Sequence, residues 1–154
     1  MTTWALPADI PRVRLLDSAT PLERMPRIEA LTEHTAGLWV KRDDSMPIGG
    51  GGNKLRSLEF WLGEAEAVGS DILVVAGQIV SNQCRLTAAA AAKRGIDCLI
   101  LHNSPEPTLA EVQGNHLLST LMGASFRFIG PITQATSATS WFPGMFLRVD
   151  VMSM

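Results

Sequence analysis

What this 154-residue chain lacks narrows its function before any motif does. It has two cysteines, Cys84 and Cys98. Neither stands at a metal-ligand spacing, and both read as buried free thiols, one in a helix-like and one in a strand-like segment. The three histidines, His34, His102 and His116, form no metal-type pair and are assigned surface or strand-end roles, so no metal is expected. No apolar run approaches the length of a membrane span. The opening stretch, broken by Pro7, Asp9, Pro11, Arg12 and Arg14, lacks the apolar core of a signal peptide. The expected compartment is therefore the cytoplasm, with no membrane partner. An excess of one charge is missing too: a net charge of -2 and a pI near 5.9 give no electrostatic ground for nucleic acid. No nucleophile elbow, zinc motif or pair of carboxylates is legible.

What is present is a folded composition, 46% hydrophobic and 18% charged, in a chain long enough for one domain with a core. Its organising stretch is Gly49-Gly50-Gly51-Gly52-Asn53-Lys54-Leu55-Arg56. Four glycines let the backbone turn sharply and lie close to a ligand. Leu55, Leu58, Leu62 and Ala65, with Trp61, then recur at helical steps. Lys54 thus stands at the mouth of a helix, where the positive end of the dipole favours the neutral, nucleophilic amine. On spacing alone, a solvated lysine behind a flexible loop stays open as the alternative. Two phosphate-binding motifs fail here. Asn53 and Leu55 occupy the places where a Walker loop needs Gly and Ser or Thr, and Lys54 stands where the dinucleotide fingerprint needs Gly.

Around that loop the chain alternates. Pro7, Pro11, Pro21 and Pro26 suggest that residues 1–30 wrap over another surface rather than build regular structure. Leu38-Trp39-Val40 reads as a strand running into Lys41-Arg42-Asp43-Asp44, a solvated end with local ion pairs. Asp71–Ala76, Cys98–Leu101 and Ser125–Ile129 read as strands, and Leu86–Lys93 and Val112–Met122 as helices. Gly69, Gly95 and Gly123 close the helices. The pattern predicts an α/β fold: an open parallel sheet with helices on both faces. Gly77–Gln83 falls at a strand's carboxyl end and a helix N-terminus, where backbone N–H groups can hold a carboxylate or phosphate. Ser81 there is equally well a simple N-cap. A lysine behind a glycine loop plus an anion cradle at a sheet end suggests a Schiff-base cofactor site. From Thr133 onward the character changes, and residues 131–154 read as an atypical tail, truncated or poorly ordered.

Several separated stretches, in order, resemble the 1-aminocyclopropane-1-carboxylate (ACC) deaminase and D-cysteine desulfhydrase family. Gly51-Gly52-Asn53-Lys54-Leu55-Arg56-Ser57-Leu58-Glu59 is similar to its Gly-Gly-Asn-Lys-x-Arg-Lys-Leu-Glu segment. Ser81-Asn82-Gln83-Cys84-Arg85 is similar to its Ser-Asn-(His/Gln)-x-Arg segment. Pro21-Leu22 with Arg24 and Arg27, Val40–Asp44, Gly114-Asn115 and Met122-Gly123-Ala124 match as well, so the likeness runs from about Pro21 to Gly130. The resemblance implies a pyridoxal 5′-phosphate (PLP) enzyme related in fold to the tryptophan synthase β chain. It implies residues 1–48 as the N-terminal part of a large domain and 49–130 as a small domain carrying the PLP lysine. Lys54 would bind PLP covalently and move protons at or near the substrate Cα. Asn53 would lie at the cofactor, and Asn82 would hydrogen-bond the 3′ oxygen of its ring. Ser81, Asn82 and Gln83 would receive the carboxylate of a small amino acid, and Ser81 assists proton transfer in some members. Ammonia and a 2-oxo acid would leave, and the full-length family would be a homodimer.

The departures from the family pattern matter. Ser57 replaces a lysine. The later loop for the PLP phosphate and the residue facing the pyridine nitrogen have no counterpart. With no tyrosine in the chain, the tyrosines that ACC deaminases use on their substrate are missing. The expectation is a truncated, D-cysteine desulfhydrase-like lyase. ACC deaminase and a catalytically inactive fragment folding as a small α/β domain are the alternatives.

Overall fold

The computed structural model describes residues 10–32 and 37–130. The expectations for His34 and for the segment 131–154 lie outside the described residues. In chain order the elements are β1 (Leu22–Arg24), α1 (Pro26–Thr32), β2 (Trp39–Lys41), two 3-10 turns (Asp43–Ser45 and Ile48–Gly50), α2 (Lys54–Ala67), β3 (Ile72–Gly77), α3 (Asn82–Arg94), β4 (Asp97–His102), a third 3-10 turn (Leu109–Glu111), α4 (Gly114–Leu121) and β5 (Ser125–Phe128). β1 and β2 pair antiparallel, and β3-β4-β5 form a parallel sheet in that order. This is the α/β, parallel-sheet architecture that the alternating pattern predicts. The register sets Gly77 opposite His102 and His102 opposite Phe128, so the carboxyl ends of all three strands reach one edge.

The core follows from the pleat. Leu73, Val75, Cys98 and Ile100 share one face of the sheet and join Leu55, Leu58 and Leu62 of α2 and Leu86, Ala88, Ala90 and Ala91 of α3. Each fully buried leucine contributes about 2 kcal/mol. Four consecutive buried alanines, Ala88–Ala91, show that α3 is covered on more than one side. It touches β3, β4, α2, α4 and the turn that ends in the glycine loop. Alanine has no bulk to hold these neighbours away, and its high helix propensity keeps the segment helical. Both cysteines lie in this core, as the sequence suggests. Burial, with a smaller push from Cys84, raises the Cys98 thiol to about 12, so it stays protonated and inert.

The helix ends follow the glycine signals. Past α2, Gly69 N–H donates to Glu66 O (3.1 Å) and Ser70 N–H to Ala65 O (2.8 Å), the paired bonds that satisfy a helix's last carbonyls. Gly95 with Ile96, and Gly123 with Ala124, repeat the arrangement after α3 and α4.

Residues 10–21 do wrap, over α2. A Cβ on Gly63 would lie 2.5 Å from Arg12 N, so the chain crosses the helix in backbone contact. Glu59 anchors the crossing: it is 1% exposed, and Oε1 accepts from Leu15 N (2.9 Å) and Leu16 N (3.0 Å). Its Oε2 accepts from Arg12 Nε (2.9 Å) and Nη2. Lys93 Nζ adds a bond to Leu15 O at 3.0 Å, tying the same segment to the end of α3. Regular structure resumes sooner than the prolines suggest, because β1 and α1 fall within residues 22–32. Pro26 is the first helical residue, where its missing N–H has no intrahelical partner to lose.

Burial alone would push the Glu59 carboxyl up. The Arg12 guanidinium and the N–H groups of Leu16 and Leu15 outweigh it and hold the group below the ordinary carboxylate range. The stability it contributes is thus complete above the ordinary glutamate value and is lost as pH falls through the lowered folded value. Glu59→Ala is expected to cost about 3 kcal/mol at neutral pH, because Arg12 and two backbone donors lose their acceptor. The loss should shrink in acid. Urea midpoints across pH check this, and a variant as stable as the parent at pH 7 would contradict it.

Candidate functional site: a lysine behind four left-handed glycines

All four residues before Asn53 take positive φ: 58° at Gly49, 79° at Gly50, 75° at Gly51 and 136° at Gly52. Only glycine holds such a run without strain. The surroundings demand it as well. A Cβ on Gly49 would stand 2.6 Å from Ala89 Cβ, and one on Gly51 2.3 Å from Asp44 O. Gly51 N–H donates to Ile48 O (3.0 Å) and Gly52 N–H to Asp43 O (2.9 Å). Arg85, from the first turn of α3, donates through Nη2 to Gly51 O at 3.0 Å. The loop is therefore fixed on α3 rather than flexible.

Lys54 follows as the first residue of α2 and is half-buried. Among the described residues its Nζ donates to no protein acceptor and makes no ion pair. Asn53 is exposed, in helical backbone conformation, and its side chain does not cap the helix. The charged run after β2 behaves as a solvated end with local pairs: Arg42 reaches Glu23 (2.8 Å) and Asp44 (2.7 Å), and Asp43 pairs with Arg56 (2.6 Å).

At the sheet's carboxyl edge, Ser81 is the N-cap of α3, its Oγ accepting from Cys84 N at 3.3 Å. The Ser81 side chain also hydrogen-bonds the Cys84 side chain, which opposes the upward push of burial on that thiol. The N–H groups of Asn82 and Gln83, at the start of α3, find no acceptor among the described residues. Asn82 is exposed. Gln83 differs from expectation in one respect: its side-chain amide donates to Thr87 Oγ1 (3.3 Å), back along the helix. Ser81, Asn82 and Gln83 thus stand together at one helix mouth. Lys54 reaches the same helix through its loop, Gly50 and Gly52 lying against Arg85 and Leu86. An amine without a partner is the group type that suits an aldehyde cofactor, and an exposed amide with two unpaired N–H groups at a helix mouth suits a carboxylate.

Two contacts near the carboxyl edge of the sheet escape sequence reasoning. Asn115 Nδ2 donates to Val80 O at 2.7 Å, tying the start of α4 to the loop that presents Ser81. His102 and His116 meet: His102 ends β4, as its strand-end role has it, but His116 is buried on α4 rather than at a surface. His102 Nδ1 donates to Gly77 O (3.0 Å), and its Nε2 lies 3.2 Å from His116 Nδ1, within hydrogen-bond distance. Burial, then the neighbouring His102, lowers the His116 value. Phe126 and Phe128 enclose the pair. His116 also lines a cavity of about 560 Å³ with Glu106, Thr120 and Arg127. Among the described residues no group of three or more ligand-type side chains could hold a metal, and no helix is long and apolar enough to cross a membrane.

Comparison with known proteins gives the family. The model of the pyridoxal-phosphate dependent enzyme family matches residues 13–140. D-cysteine desulfhydrases of Salmonella paratyphi B and Salmonella newport are 42% identical over 126 residues, covering 80% of this chain and 38% of theirs. The crystal structure of an ACC deaminase homologue superposes with a TM-score of 0.74 at 34% identity, covering 86% of this chain and 39% of that one. The chain thus spans well under half the length of these relatives. Matched over most of the described residues by the family model, and over 80% of its length by relatives at 42% identity, this chain belongs to the family of pyridoxal-phosphate dependent enzymes.

Proposed function

We propose that this chain carries the cofactor lysine and the substrate-carboxylate cradle of a PLP-dependent lyase or deaminase that acts on a small amino acid, in the manner of a D-cysteine desulfhydrase. The observation that carries this reading is the state of Lys54: the first residue of a helix, its Nζ without a protein partner, behind a loop held in one conformation. When bound, PLP supplies an electron sink for charge developing at the substrate Cα. Lys54 holds the cofactor through its amine and, once released, moves the proton at or near Cα. Asn53 would flank it, and the Asn82 amide would hydrogen-bond the ring's 3′ oxygen. The substrate carboxylate is received by the Ser81 hydroxyl and the N–H groups of Asn82 and Gln83 at the α3 N-terminus. Gln83 serves through its backbone, since its side-chain amide is engaged with Thr87. Ser81 also assists proton transfer.

This reading assigns residues 1–48 to a larger domain and 49–130 to a small one, and it sets the full-length protein as a cytoplasmic homodimer. The exposed Leu22, Leu31 and Trp39 of the β1–α1–β2 unit support the first assignment, because α1 buries none of its side chains in the described residues. The fold match to an ACC deaminase homologue keeps ACC ring opening as the second reading. Products separate the two: sulfide with pyruvate from D-cysteine supports elimination, and 2-oxobutanoate from ACC supports ring opening.

The direct test is borohydride reduction of the purified chain in PLP, followed by mass mapping of the modified peptide. Label concentrated on Lys54 is expected. Label scattered over Lys41, Lys54 and Lys93, or none, would favour a catalytically inactive α/β domain. Gly51→Ala should cut labelling of Lys54 on the order of tenfold while the lysine remains, because a Cβ there meets Asp44 O and must displace the loop. Unchanged labelling in that variant would show that the loop does not position the amine.

A further inference from the structure

The face of α2 turned away from Lys54 carries a second concentration of chemistry. Arg12, Arg14, Leu16, Ser18, Ala19 and Arg56 line a cavity of about 500 Å³. Arg56 lies two residues after Lys54 on the helix, a rotation of about 200°, so the two side chains leave α2 on opposite sides. The wrapping segment 10–21 supplies the remaining residues.

Each guanidinium is already held in place. Arg12 is fixed by Glu59. Arg56 is fixed by Asp43, through Nε (2.9 Å) and Nη2 (2.6 Å), and by Thr20 (3.0 Å). Arg14 is held only by carbonyls, Leu16 O (3.1 Å) and Asp17 O (2.9 Å). Among the described residues no carboxylate pairs with Arg14. Three cations around one cavity are thus met by two carboxylates. Among the described residues, none of the three Nη1 groups donates to a protein acceptor. Guanidinium forks fixed in advance lose little rotamer freedom on meeting an oxyanion, and their planar geometry suits phosphate and carboxylate.

We propose that this cavity binds a small polyanion, with at least two phosphate or carboxylate groups, at a site separate from Lys54. Arg14 carries the excess charge, while Arg12 and Arg56 offer their outward-facing N–H groups and Ser18 its hydroxyl. The volume suits a small-molecule ligand rather than a lone ion. Three arginines around one cavity, two of them paired, leave an excess of positive charge that a bound anion would offset.

The test is calorimetric titration of the purified chain with pyrophosphate and, separately, with citrate, at constant ionic strength set by chloride. Saturable one-to-one binding of at least one is expected. Pyrophosphate alone would identify a phosphate ester as the ligand class, and citrate alone a polycarboxylate. Arg14→Gln should weaken binding on the order of tenfold, and Arg14→Lys should weaken it less, since charge stays while the fork is lost. Lys54→Ala should leave affinity unchanged. Circular dichroism checks that each variant folds. No saturable binding of either anion would overturn the proposal. So would undiminished affinity in a folded Arg14→Gln, or an equal loss in Lys54→Ala, which would assign the binding to the lysine's own site.

Discussion

The close approach of one backbone loop to one helix governs this structure. Gly49 to Gly52 lie so near α3 and the Asp44 carbonyl that two of the four positions would place a Cβ under 2.7 Å from another atom. α3 accepts them because its facing residues are small or reach around the loop: Ala89 beneath Gly49, and Arg85 bonded to Gly51 O. The consequence is positional. With its preceding loop immobilised, Lys54 begins α2 at a set place relative to the helix whose N-terminus carries Ser81, Asn82 and Gln83. Positioning of this kind is what the protein contributes when a cofactor carries the chemistry.

The rest of the fold serves that contact. α3 stays in place because the sheet covers one side of it and α2 and the loop cover others, an enclosure that a run of alanines makes possible. α2 in turn is clamped from outside by residues 11–16, through a buried carboxylate satisfied by one guanidinium and two backbone donors. A buried charge of this sort adds little net stability beyond what an apolar residue would, but removing it leaves its donors stranded. Glu59 therefore sets the path of the segment more than it strengthens the fold. The same path brings Arg12 and Arg14 to the side of α2 where Arg56 projects.

Elements specified by local chemistry were legible in the sequence. α2 starts at Lys54, where the glycines end and the helical spacing begins, and each of the three longest helices stops at a glycine. The apolar runs of β3 and β4 read as strands by their length and flanking turns; Leu73, Val75, Cys98 and Ile100 bury the core face, while Ala76 and Asp97 on the other face are exposed. What depends on distant partners was not legible. Glu59 sits beside Leu58 in a helix and looks like a solvated charge until Arg12, 47 residues earlier, is placed against it. β1 has three residues, all exposed, and no period could betray it. His102 and His116 are joined only by the fold of β4 against α4. At the candidate site, residue types and order indicated Lys54 and Ser81–Gln83. The Gln83 tie to Thr87 and the Arg85 clasp on Gly51 required coordinates, since both side chains had other partners open to them.

Hydrogen exchange across the glycine loop tests the central claim most directly. In the native chain the N–H groups of Gly51 and Gly52, bonded to Ile48 O and Asp43 O, should exchange far more slowly than in an unstructured peptide. Arg85→Ala should release that protection while leaving the amides of β3 and β4 slow. Exchange of Gly51 and Gly52 at unstructured rates in the native chain would contradict the account, because a mobile loop could not fix Lys54 and the start of α2 against α3.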